Sequence, residues 1–246
     1  MKNILLVLML FSMTQLSAYS ESYKLAKEAK KRGDYKSAIS YTFEQLDEDL
    51  NAYGGSSKEI IIDYVKLGYL YEKLKKYDKA MLYNLKALKT EEKILPKNSP
   101  TKATTYYNIG SVYQKQRKYK EALENYEKAL KMQTIVYGKK DTLLSKTYNS
   151  MGSVYRKEGK YEESLDAYEE ALKIREEALG KEHISCAKIY NNKSLVYYKQ
   201  GKKAKALKEL NYVLKIKEKS LGKEDPSTKN TQKNIDYLKK DMAKKQ

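Results

Sequence analysis

Apolar residues recur at intervals of three and four along nearly the whole chain, which is the spacing of one face of an α-helix. From Tyr106 the first such run has the apolar face Tyr106, Ile109, Gly110 and Tyr113. A second run after Lys118 has the face Ala122, Leu123, Tyr126, Ala129 and Leu130. The basic stretch 116–118 interrupts the pattern between them and predicts a turn. This segment is therefore predicted to form a helical hairpin.

The same hairpin pattern recurs every 42 residues. It starts at Ser22, Tyr64, Tyr106, Tyr148 and Tyr190. In the last two copies the turn carries Gly159 and Gly201, as expected for a residue that closes a helix with positive φ. A small residue also recurs in the first helix, at positions 68, 110, 152 and 194. A fixed period in this range predicts a stack of similar units in which each unit packs only on its neighbours.

The repeated motif resembles the tetratricopeptide repeat, which runs aromatic, Leu, Gly, Tyr, then Ala, aromatic, Ala. The third copy matches in order with Tyr106, Ile109, Gly110, Tyr113, Ala122, Tyr126 and Ala129. The usual unit has about 34 residues, so the 42-residue period is similar to the variety found in kinesin light chains and many bacterial repeat proteins. The resemblance implies an all-α fold, an α-solenoid in which helical hairpins form a right-handed superhelix.

The repeat period divides the chain into a leader, five tetratricopeptide-like units and a tail. The expected boundaries are 1–18 for the leader, then 19–60, 61–102, 103–144, 145–186 and 187–226 for the units. Residues 227–246 are expected to form a capping helix and basic tail, with Ile235 and Leu238 facing inward.

The first residues have the composition of a secretory signal peptide. Lys2 precedes an apolar run from Ile4 to Phe11, and small residues follow at Ser17 and Ala18. The run is shorter than the roughly 20 residues that span a bilayer. We therefore expect an exported, soluble, periplasmic or secreted protein without a transmembrane segment. The alternative is a cytosolic protein with an apolar first helix.

The net charge of +18 indicates an acidic partner or an anionic surface. Only Arg32, Arg117, Arg156 and Arg175 among the 50 basic residues are arginine. Bidentate recognition of base edges and phosphates favours arginine, so specific nucleic-acid binding is not expected. An A/T-rich coding bias would produce the same excess of lysine.

The resemblance places a peptide-binding groove along the first helix of each hairpin. The expected groove residues are Lys66, Tyr69, Lys73, Tyr107, Asn108, Ser111, Lys115, Asn149, Ser153, Arg156, Asn191, Asn192, Leu195 and Lys199. Asparagine amides can both donate to and accept from a peptide backbone, and the cations favour carboxylates. The alternative is that these are only solvated polar residues. The clamp for chain-terminal carboxylates known in the family is not reproduced, because Val65, Tyr69 and Ser150 replace three of its residues.

No residue pattern for catalysis, a metal or a cofactor is found in the sequence. The sole histidine, His183, lies in a loop between repeats, and the sole cysteine, Cys186, is expected to be a buried thiol. We expect a non-catalytic scaffold that binds protein or peptide segments. Two alternatives are a self-assembling, homo-oligomeric module and electrostatic attachment to lipid or nucleic acid.

Overall fold

The computed structural model describes residues 21–244. The predicted leader, residues 1–18, lies outside this range. The chain divides into two compact bodies at Lys118. We call the described residues 21–118 the N-terminal half and residues 119–244 the C-terminal half, and each is described by itself.

Eleven helices and no strand form the described part of the chain. They are α1 (21–31), α2 (Tyr35–Tyr53), α3 (Lys58–Lys73), α4 (Tyr77–Ile94), α5 (Pro100–Lys115), α6 (Tyr119–Tyr137), α7 (Thr142–Glu158), α8 (Tyr161–Leu179), α9 (Ile184–Lys199), α10 (Lys203–Leu221) and α11 (Pro226–Ala243). The odd-numbered helices from α3 onward start 42 residues apart, and so do the even-numbered helices. The all-α class of helical hairpins is therefore confirmed. The division into units at 61, 103, 145 and 187 stays a prediction.

The start of each odd-numbered helix from α3 onward is fixed by a side chain that caps it. The residue before the helix accepts a hydrogen bond from a backbone N–H of the first turn, which has no partner within the helix. These caps are Ser57, Ser99, Asp141, His183 and Asp225, again 42 residues apart. His183 accepts from the Ser185 N–H through Nδ1 at 3.2 Å. The only histidine therefore has a structural role at the start of α9.

The turn inside each hairpin contains one residue in the left-handed backbone region. Gly159 has φ 77° and its N–H bonds to the Arg156 carbonyl, which closes α7 as the sequence predicted. Lys75 and Arg117 occupy the equivalent place at φ 59° and 63°. Left-handed geometry is unfavourable for residues with a Cβ, so Lys75 and Arg117 have a backbone cost that Gly159 avoids.

The hairpins of each half pack in series. Within a hairpin, α3 packs on α4, α7 on α8 and α9 on α10, and the second helix of each hairpin also contacts the first helix of the next. Cys186 is fully buried in the cluster that joins α8 to α9, as expected from the sequence. Ile235 and Leu238 of α11 are 1% and 3% exposed and pack on α10. A helix therefore packs on α10 here, and its role as a cap stays a prediction.

The two helices of the α7–α8 hairpin approach closely at Gly152. A Cβ built on Gly152 would lie 2.7 Å from Cε1 of Tyr168, a ring that is fully buried. The Ser164 hydroxyl donates to the Gly152 carbonyl at 2.7 Å. The equivalent Gly68 lies against Asn84 in the same way. The small residues at this register therefore set the distance between the two helices of a hairpin.

Lys193 stands where the pattern expects an apolar residue, and it joins two hairpins instead. It is only 6% exposed. Its amine lies 2.6 Å from Glu169 of α8 and 3.3 Å from Glu209 of α10. Burial alone would lower the pKa of Lys193, but the hydrogen bond that its amine donates to Glu169 and the charges of both carboxylates raise it. The lysine is therefore a charged tie between α8, α9 and α10.

Replacing Gly152 by alanine tests this close approach. We expect G152A to destabilise the fold by about 1–3 kcal/mol, because the new methyl group must displace the Tyr168 ring from a packed core. Thermal unfolding followed by circular dichroism measures the change. Gly55 has open space around its Cα, so G55A is the matched control and should leave the midpoint unchanged. An unchanged midpoint for G152A would contradict the packing described.

Candidate peptide-binding face

In the N-terminal half, the predicted groove residues lie on α3 and α5, which are in contact. The Ser111 hydroxyl on α5 donates to Glu72 on α3 at 2.9 Å. The Tyr69 ring lies between two amines, those of Lys30 and Lys73, at 4.6 and 5.1 Å from its centre. Asn108 is buried, at 8% exposure. Tyr69 and Ser111 therefore already have partners within the chain.

Lys66, another predicted groove residue, is held by its own neighbours. Its amine lies 3.0 Å from Asp63 and 3.1 Å from the side-chain oxygen of Gln45. It also lies 4.8 Å from the centre of the Tyr23 ring. An amine with these contacts is a poor candidate for binding an incoming carboxylate, because binding would require it to leave them.

Asp63, beside Lys66, belongs to a buried pair of carboxyl groups. Both Asp49 on α2 and Asp63 on α3 are 0% exposed. Burial, the hydrogen bond with Asp63 and the charges of Asp63 and Glu59 raise the pKa of Asp49 to about 7, against the charge of Lys66. Burial also raises the pKa of Asp63, although the Asp49 hydrogen bond and Lys66 oppose it. Protonation of one carboxyl group of the pair is therefore favoured below about pH 7.

In the C-terminal half, the predicted residues on α7 and α9 lie on one side of their helices. The Asn192 amide donates to the Asn149 side-chain oxygen at 2.9 Å, which joins the two helices directly. Leu195 and Lys199 are exposed, and Ser153 and Asn191 are half-buried. Arg156 is also half-buried. Burial raises the pKa of the Tyr168 phenol, and the charge of Arg156 opposes that rise.

The same side continues onto α11. The residues on this side lie on α7, α9 and α11, opposite the buried residues of each helix. We call this set the basic face. They are Lys146, Asn149, Ser153, Arg156 and Lys157 on α7, Lys188, Asn191, Asn192, Leu195, Tyr198 and Lys199 on α9, and Lys233, Asn234, Tyr237 and Lys240 on α11. Sequence reasoning missed those on α11, although adding 42 to Leu195 gives Tyr237.

Negative charge is nearly excluded from the basic face. Helix α9 contains no Asp or Glu, and the carboxylates of α7 and α11 already have partners. Glu158 lies 3.2 Å from Lys160, Asp241 lies 2.6 Å from Lys203, and Asp236 accepts from Gln232 at 2.8 Å. By contrast, α8 carries seven Asp or Glu residues. The charges on α7 and α9 are therefore mostly positive, whereas α8, which lies between them in the sequence, is mostly acidic.

Two further features, a metal-binding group and a membrane-spanning helix, are both absent from the described residues. Within residues 21–244, no group of three or more His, Cys, Asp or Glu side chains could hold a metal ion. No helix in this range is long and apolar enough to cross a bilayer.

Comparison with known proteins identifies the repeat. The sequence model of the tetratricopeptide repeat matches residues 62–135, 101–177 and 143–219. The chain belongs to the tetratricopeptide repeat family. The predicted resemblance is thereby confirmed, and the helical hairpins are tetratricopeptide repeats of an α-solenoid. No curated protein sequence matches the chain significantly.

Several solved structures have the same fold. BtubC (BKLC) from P. vanneervenii is 21% identical with a TM-score of 0.71, over 83% of this chain and 89% of that one. A putative kinesin light chain from Podospora anserina, with nearly identical repeats, is 16% identical with a TM-score of 0.68, over 82% and 96%. The apo form of RapI is 19% identical with a TM-score of 0.70, over 90% and 83%. At these identities the likeness extends to the fold.

The Asp49–Asp63 pair of this tetratricopeptide repeat protein predicts how its stability depends on pH. The folded pKa of Asp49, about 7, lies above the unfolded value of 3.8. The folded form therefore keeps a proton that the unfolded form releases, and stability falls as the pH rises from about 4 to 7. D49N keeps a hydrogen-bond donor at every pH, so we expect it to remove this loss and to raise the unfolding midpoint at pH 8 above that of the unaltered chain.

Urea unfolding at pH 5 and pH 8 measures the difference. The control is D47N, because Asp47 lies on the same helix and is exposed. The loss of stability between pH 5 and pH 8 should be the same in D47N as in the unaltered chain. An equal loss in D49N would contradict the raised pKa of Asp49.

Proposed function

We propose that this protein is a non-catalytic scaffold that binds acidic peptide segments along the basic face of its C-terminal half. The observation that carries the proposal is the distribution of charge: α7, α9 and α11 present exposed lysines, α9 has no carboxylate, and Glu158 and Asp241 are paired with lysines. An acidic segment laid across these helices would meet cations on each of them.

The amides of the face supply the second part of recognition. Asn149 and Asn192 bond to each other through one pair of atoms, which leaves the Asn149 NH2 group and the Asn192 oxygen to face a peptide. An amide can satisfy a peptide carbonyl or N–H without regard to its side chain. Charge would then select the partner, and the amides would hold its backbone.

The N-terminal half supports this role less directly. Lys66, Tyr69 and Ser111 have partners within the chain, and Asn108 is buried. The other groove residues predicted on these helices, Lys73, Tyr107 and Lys115, stay in the proposal, and Lys73 also lies against the Tyr69 ring. The leader predicted from the sequence would place the protein and its partner outside the cytoplasm, and the appearance of the mature chain in a periplasmic or culture fraction tests this.

Charge reversal on the basic face tests the proposed function. The probe is a nine-residue peptide, acetyl-Glu-Glu-Asp-Glu-Leu-Glu-Asp-Glu-Glu-amide, with a fluorophore on an added C-terminal lysine. We expect K188E/K199E to weaken binding about tenfold in fluorescence anisotropy, because two attractive charges become repulsive. The control K173E/K181E changes the net charge equally at exposed positions of α8 and the following loop, and should change binding less than threefold.

The control also distinguishes the alternative of attachment through the total charge. Attraction by net charge alone would be weakened equally in both double variants and would disappear as salt rises. Equal weakening would therefore contradict the proposed face and favour a basic surface that holds any polyanion.

A further inference from the structure

An apolar cleft opens on the basic face between α9 and α11. Its volume is about 200 Å³, below the range of about 300–1,000 Å³ that is usual for sites of small-molecule ligands. Its floor is formed by the buried side chains of Ala206, Leu210 and Leu238. A cleft of this size suits one large side chain of a partner better than a whole ligand.

The walls of the cleft are apolar groups that remain in contact with water. Leu195 is 41% exposed, Tyr198 36% and Tyr237 65%. Tyr198 and Tyr237 interact with each other, since the charge of Tyr237 and its hydrogen bond raise the pKa of the Tyr198 phenol. The Ser194 hydroxyl at the cleft donates to the Asn191 carbonyl at 2.8 Å. Asn191 and Asn234 also line the cleft, and its other lining side chains are mostly apolar.

The cleft follows from a change at one register of the repeat. Leu210 stands 42 residues after Tyr168, whose ring fills the space beside Gly152. Leucine is shorter than tyrosine, so the equivalent space in the last repeat is not filled from within. At the neighbouring register, Leu195 replaces the Ser153 of the preceding repeat. The first change leaves space at this place, and the second makes its wall more apolar than the counterpart on α7.

Lysines surround the cleft and define what can enter it. Lys188 and Lys199 are exposed seven residues before and four after Leu195 on α9, and Lys233 and Lys240 are exposed four residues before and three after Tyr237 on α11, which is the spacing of one helix face. The nearby Asp241 is paired with Lys203 at 2.6 Å. A partner with an apolar residue between carboxylates complements both features, whereas a second copy of this basic chain would bring like charge to the cleft.

We propose that the cleft is an anchor site for a leucine- or phenylalanine-sized side chain that acidic residues flank in a bound peptide. The proposal rests on the proposed peptide-binding function and names its specificity: the lysines attract the segment, and the cleft fixes its register. Burial of one large apolar side chain discriminates against alanine because the alanine leaves the cleft walls exposed to water.

The test compares the leucine probe described above with the same peptide carrying alanine at its centre. We expect the unaltered chain to bind the leucine probe about tenfold more tightly. L195S, which introduces the residue type found one repeat earlier, should lose most of that preference and still bind the alanine probe. L221S is the control, because Leu221 is similarly exposed, at 47%, and lies outside the cleft; it should keep the full preference.

The outcomes separate the anchor site from the proposed function. Equal binding of both probes, still weakened by K188E/K199E, would overturn the anchor site alone. A leucine preference that survives in L195S would overturn it as well. Failure of both probes to bind would overturn both proposals. A dimer in sedimentation that L195S disrupts, without probe binding, would assign the cleft to a second copy and also overturn the proposal.

Discussion

The close approach of two helices inside each hairpin is the contact on which the rest of the structure depends. At Gly152 the second helix brings the Tyr168 ring to a distance that leaves no room for a Cβ, and the Ser164 hydroxyl bonds to the Gly152 carbonyl. This contact fixes how the first helix is oriented on the second. The polar side of the first helix then faces away from the second, which is how tetratricopeptide repeats can present a binding surface at every step.

Within that fixed frame, the same registers carry different chemistry in different repeats. The second helix of a hairpin contacts the first helix of the next hairpin through residues that are 14 apart in the sequence. Four such pairs are Asp49–Asp63, Glu91–Thr105, Gln133–Thr147 and Lys217–Thr231. The backbone geometry tolerates a pair of carboxyl groups, a carboxylate–hydroxyl bond or an amine–hydroxyl bond at one place. Stability and pH response can therefore vary along the chain while the helical hairpin stays constant.

Much of this fold could be predicted from the sequence, because its period determines it. The hairpins, the turn at Gly159 and the buried positions of Ile235 and Leu238 follow from helical spacing repeated every 42 residues. The candidate site was less predictable. Periodicity places Lys66 and Asn108 on the expected helices, yet Lys66 is held by Asp63 and Asn108 is buried, since both depend on neighbours from other helices. The cleft depends on Leu210, which stands where the preceding repeat has the larger Tyr168. This difference becomes informative only when the repeats are superposed.

Carbodiimide cross-linking of the acidic leucine probe, followed by mass spectrometry, tests directly whether an acidic peptide binds along the basic face. Carbodiimide joins a carboxylate to an amine only where the two are in contact, so the modified lysines report where the peptide lies. The account predicts cross-links concentrated at Lys188, Lys199, Lys233 and Lys240. Cross-links distributed evenly over the exposed lysines, including Lys173, Lys181 and Lys205, would show that the probe binds to charge alone and would contradict it.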